Sequence, residues 1–110
     1  MSEEEREALR RRSSALFGNR CLAEVVVAIV DLTCVAGDGL VTVRMVAART
    51  GLTDSLVRPV VKRLVVAGLL APQPQDRLRG ASYHKICPED GVWDTLVRTC
   101  QLLHDHASVA

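Results

Sequence analysis

Eight basic side chains fall within residues 42–86: Arg44, Arg49, Arg58, Lys62, Arg63, Arg77, Arg79 and Lys85. Two acids, Asp54 and Asp76, stand against them, so the segment nets +6. The remaining residues carry six basic and eleven acidic side chains, a net of −5, and the whole chain stands at +1. The overall balance hides a local cationic surface. Such a surface suits a polyanion, and a nucleic-acid backbone is the commonest one.

Other reactive residue types are present without a usable arrangement. Cysteines stand at 21, 34, 87 and 100, with no Cys-x-x-Cys pair. In a cytoplasmic chain these are expected as reduced, mostly buried thiols. His104 and His106 are two residues apart and share no helix face, so the terminal His-Asp-His run is expected as a polar tail. His84 follows Tyr83 in an extended stretch and reads as a strand residue. Serines, histidines and acids are otherwise scattered. There is no Gly-rich phosphate loop and no placeable pair of catalytic carboxylates. No catalytic residue, metal site or cofactor is expected.

With 110 residues the chain is expected to form one domain with a real core. Apolar residues make up 48% and aromatics 3%, so that core must come from Val, Leu, Ala and Ile. Modules that stack single-stranded bases need exposed aromatics, which are scarce here. No apolar run approaches the ~20 residues that span a bilayer. The start, Met-Ser-Glu-Glu-Glu, does not look like a secretory signal, and the expected compartment is the cytoplasm.

The elements that would position the basic residues can be read in turn. Residues 2–15 predict a charged helix with a Ser2/Glu5 capping box, marginal or dependent on a partner. Its arginine run, Arg10 to Arg12, reads as a solvated face that can also touch phosphate. Residues 20–36 contain Val25-Val26-Val27-Ala28-Ile29-Val30, which locally favours a strand. The apolar stretch is too long for one, and a buried helix ending at Gly37-Asp38-Gly39 is expected. Leu40-Val41-Thr42 predicts a very short strand, and Thr42 a cap for a helix over 43–50 closed by Gly51. Thr53 is placed to cap the next helix, 54–68. There Val57, Val61 and Leu64 share one arc, while Ser55, Arg58, Pro59, Lys62, Arg63 and Val66 share the opposite one. Pro59 predicts a kink or a tighter first turn. A hairpin over 71–87 follows, with Pro72 and Pro74 confining its first strand to an edge. A last helix runs to about His104.

The fold class is therefore mainly α with a small β-hairpin (α+β). Residues 1–14 read as an N-terminal helical extension, 15–104 as the main domain and 105–110 as a flexible tail.

Thr42-Val43-Arg44-Met45-Val46-Ala47-Ala48-Arg49-Thr50-Gly51-Leu52-Thr53 resembles the first helix and turn of a winged helix-turn-helix domain. Asp54 to Leu70, with its Lys62-Arg63-Leu64…Ala67-Gly68-Leu69-Leu70 ending, resembles the recognition helix and its exit into the wing. Ala15 to Arg20 is similar to entry segments of bacterial winged-helix regulators of the arsenic-repressor-like (ArsR) and MarR-like groups. The resemblance covers residues 15 to about 104. It implies a transcription regulator on duplex DNA. Arg44, Thr53, Ser55, Arg58, Lys62 and Arg63 would contact DNA from the helices, and Arg77 and Arg79 from the wing. It also implies a homodimer through the terminal helices, with Leu9, Leu16, Val92, Trp93, Leu96, Cys100 and Leu103 as interface candidates. Winged helices also serve as protein-docking modules, and apolar Leu56 and Val66 on the outer face keep that alternative open.

Overall fold

The computed structural model describes residues 1–35, 37–74 and 82–107. Its elements are α1 (Glu3–Phe17), α2 (Leu22–Val35), β1 (Leu40–Val41), α3 (Val43–Thr50), α4 (Asp54–Val66), β2 (Leu70–Pro72), β3 (His84–Ile86) and α5 (Val92–Asp105). The protein is mainly helical with a small antiparallel sheet, an α+β arrangement.

The capping box at the start of α1 forms as its residue types dictate: Ser2 Oγ accepts the Glu5 N–H, and Glu5 accepts the Ser2 N–H. The backbone N–H and hydroxyl of Ser2 hold the Glu5 carboxyl below its ordinary range. The helix is longer than the expected extension. It runs through the expected boundary at residue 14 to Phe17, and Gly18 closes it at φ 69°. Leu9 is fully buried, and Arg10 pairs with Glu24 of α2 at 2.6 Å.

Ser13 is the buried polar anchor of that packing. Its hydroxyl donates to the Asn19 carbonyl and accepts the Ala23 N–H, tying α1 to the start of α2. Replacing it by alanine strands both backbone groups in the interior, at about 1–3 kcal/mol for such a loss. Ser13→Ala should therefore lower the urea midpoint of unfolding by that equivalent, whereas the exposed Ser14→Ala should leave it unchanged.

The Val-rich stretch is helix α2, as its length required. Every other helix and β1 touch it, and Val25, Val26 and Ile29 are fully buried. Burial on several sides outweighs the weak helix propensity of β-branched residues, which is worth only tenths of a kcal/mol each.

Thr42 caps α3 by accepting the Met45 N–H, and Gly51 ends that helix at φ 77°. Leu52 and Thr53 complete a three-residue turn into α4. The expected Thr53 side-chain cap does not form; its Oγ1 sits 3.0 Å from Ser55 Oγ instead. The Thr53 carbonyl receives both the Leu56 and the Val57 N–H, so α4 does begin with a tighter turn. The helix then continues through Pro59 to Val66, two residues short of the expected end.

The expected hairpin is part of a larger sheet. β3 lies in the centre, with β1 on one side (Leu40 opposite Lys85) and β2 on the other (Leu70 opposite Ile86). Pro72 closes β2, an edge strand, where its missing N–H interrupts no ladder.

Helix α5 packs on α2 and α1 and takes several of the interface candidates into the protomer's own core. Leu9, Trp93, Cys100 and Leu103 lie inside the protomer, with exposures of 0, 4, 0 and 5%. They face the domain's own core and leave no side chain for a second copy. Leu96 is half-buried and packs on the same cluster, whereas Leu16 and Val92 are exposed. Ala107, expected in a flexible tail, is buried too. Among the described residues, no helix is long and apolar enough to cross a membrane.

Candidate nucleic-acid interface

The basic residues of α3 and α4 are held by one rigid pair of helices. Val46 and Ala47 of α3 and Val57, Val60, Val61 and Leu64 of α4 are buried, which fixes both helices on the core. The outward side of α4 is then set by the helical period, and Ser55, Arg58, Pro59 and Lys62 are all exposed.

The N-terminal half of α4 stands as a ridge between two grooves. One groove, about 580 Å³, is lined by Thr42, Arg44 and Met45 of the α3 start, by Asp54 and Arg58 of α4, and by Ser82 and Tyr83. The other, about 370 Å³, lies between Ser55, Leu56 and Pro59 of α4 and the α1–α2 corner, including Gly18, Asn19 and Arg20. Each groove has an arginine on its far wall, Arg44 on one side and Arg20 on the other. Arg20 and Tyr83 were not singled out from sequence. Arg20 lies outside the basic segment, and Tyr83 reaches the first groove only because β3 pairs with β1 beside Thr42.

The charge count changes once partners are known. Among the described residues, ion pairs involve Arg10, Arg49 and His104. Arg49 is held at 3.0 Å by Asp31 of α2. Arg63 turns its guanidinium to the Phe17 carbonyl, capping the last turn of α1 at 3.3 Å. Arg63 is thus a structural tie between α4 and α1 as well as an exposed cation. Arg44, Arg58, Lys62 and Lys85 are exposed and make no ion pair with another described residue. Thr53 and Ser55 are exposed at the tip of the ridge and bonded to one another. Arg77 and Arg79 lie outside the described residues.

No group of three or more His, Cys, Asp or Glu converges as metal ligands among the described residues. Cys21 and Cys100 are buried, and burial pushes the Cys100 thiol up to about 12. It stays protonated at neutral pH and is a packing residue. Cys34 is exposed and Cys87 half-buried.

No protein-family model, curated protein or solved structure gives a significant match to the chain.

Proposed function

We propose that this chain is a winged helix-turn-helix regulator that binds duplex DNA in the cytoplasm of a bacterial cell and performs no catalytic step. The observation that carries the reading is the ridge of α4 between two grooves, each walled by an exposed arginine. B-DNA offers the complement: a major groove about 12 Å wide that admits a helix, with a phosphate strand on either side. In this arrangement Ser55 and Pro59 face base edges, and Lys62 reaches a phosphate. Arg44, Arg58 and Tyr83 meet one strand and Arg20 the other. By resemblance Arg77 and Arg79, outside the described residues, would belong to the wing.

One such helix reads only a short site, which favours a two-fold dimer spanning successive grooves about 34–36 Å apart. The candidate surface left outward on α5 is the stripe Val92, Thr95, Thr99 and Leu102. Val92 and Leu102 are about half exposed, at 50 and 51%. Thr95 Oγ1 donates to the Gly91 carbonyl and Thr99 Oγ1 to the Thr95 carbonyl. Their hydroxyls are thereby satisfied within α5, and the stripe carries no charged side chain. Its spacing of three, four and three residues is self-matching in an antiparallel pair: Val92 meets Leu102 of a second copy, and Thr95 meets Thr99. Leu16 on α1 is a further exposed apolar residue.

A competing reading is a docking module for a protein partner, and it draws on exposed Leu56 and Val66. Affinity capture from native lysate separates the two. Recovery of a defined stretch of duplex DNA is the expected result. A stoichiometric protein that survives nuclease treatment, with no DNA enriched, would replace the DNA reading.

A further inference from the structure

The outward arc of α4 is unusually apolar for a surface that meets polar base edges, and this carries an inference that rests on the DNA-binding reading. Around the helix, at about 100° per residue, Lys62, Ser55, Val66 and Pro59 form the outer arc, and Leu56 lies beyond Arg63 on the side of the α1–α2 corner. Leu56 is 37% exposed and Val66 88% exposed. Arg63, which flanks this arc, is drawn to the Phe17 carbonyl, and the Ser55 hydroxyl is engaged with Thr53. Arg58 lies on the opposite flank, in the groove it shares with Arg44 and Tyr83. Val66 is two turns further along the helix. The N-terminal half of the outer arc therefore presents a proline ring beside Ser55 and Lys62.

The floor of the major groove carries one apolar feature, the 5-methyl group of thymine; its other distinguishing edge groups are hydrogen-bond donors or acceptors. A donor or acceptor pressed against Pro59 would lose its water without a replacement partner, at a cost. A thymine methyl in the same place gains burial. The residues 54–66 include no Asn or Gln, the side chains that read adenine by paired hydrogen bonds. Pro59 suits methyl contact further, because its ring is rigid and loses little freedom on binding.

We propose that Pro59 is a specificity-determining residue that reads a thymine methyl group. Preferred half-sites then carry thymine beneath the N-terminal half of α4.

The test begins with selection of bound duplexes from a random library by the full chain. Each enriched thymine is then replaced by deoxyuridine, which removes the methyl and keeps base pairing and every other groove group. The expected result is enriched thymine at those positions and about a fourfold loss of affinity per methyl removed, the worth of burying one methyl-sized group. Pro59→Ser should abolish the thymine–uracil difference while leaving the dependence of affinity on salt unchanged. Equal affinity for the thymine and uracil duplexes, or enriched sites with no thymine beneath the ridge, overturns the inference while DNA binding stands. Binding to no duplex at all overturns it together with the reading on which it rests.

Discussion

Reversing two charges on the ridge, Arg58→Glu with Lys62→Glu, is expected to weaken binding to duplex DNA by on the order of a hundredfold or more. Each reversal removes a counterion-releasing contact and adds a repulsion against the phosphate strands. Both side chains are exposed and make no ion pair with another described residue, so the fold does not depend on them. The thermal midpoint of the variant should stay within a degree or two of the parent, since surface changes of this kind usually cost under about 0.5 kcal/mol. Reversal of Arg49 is the informative contrast. Arg49→Glu faces Asp31 across the α2–α3 contact, so it should lower stability as well, by setting two carboxylates together. Unchanged DNA affinity in the double variant would show that α4 is not the contact surface.

The second large effect separates two neighbouring leucines of α5. Leu103 is 5% exposed and Leu102 51% exposed, although they are adjacent in the chain. Leu103→Glu places a carboxylate in the core cluster with Trp93 and Cys100. Loss of a buried leucine alone costs about 2–5 kcal/mol, and the unpaired polar group adds to that. Against a total stability of about 5–15 kcal/mol, little or no cooperative unfolding transition should remain. Leu102→Glu should instead keep the fold and its circular dichroism spectrum. Light scattering at micromolar concentration should then fall from twice the chain mass to the 12.0 kDa of a single chain. A monomeric parent, or a Leu102→Glu protein that remains dimeric, would remove the α5 stripe from the interface.

How far the sequence was legible depended on the range of the interaction. The caps of Ser2 and Thr42 and the stop at Gly51 are settled within a few residues, and they form as read. The length of the apolar run Leu22–Val35 decided correctly for a helix against its own β-branched propensity. Long-range facts were not legible. Trp93, Leu96, Cys100 and Leu103 recur at helical spacing, but spacing does not say that α1 and α2 cover that face. The side chains left over, Thr95, Thr99 and Leu102, drew no notice. Charge counting treated Arg49 and Arg63 as free, whereas their partners stand 18 and 46 residues away. Ser13 sat unnoticed in a charged run, although it joins α1 to α2. The two residues of β1 gave no sign that they pair with β3 and turn the hairpin into a three-stranded sheet.

The central claim is that the ridge of α4 and its two arginine-walled grooves engage the phosphate backbone of duplex DNA. The most direct measurement is the affinity of the full chain for duplex DNA, a genomic fragment set and a random duplex alike, as a function of salt concentration. Phosphate contacts by Arg20, Arg44, Arg58 and Lys62 predict a linear fall of log affinity with log salt, at a slope of about −0.9 per neutralised phosphate. Four contacts per chain give about −3.6, and each arginine or lysine replaced by alanine should make the slope shallower by about 0.9. Binding that is undetectable at low salt on every duplex, or an affinity indifferent to salt, would contradict it.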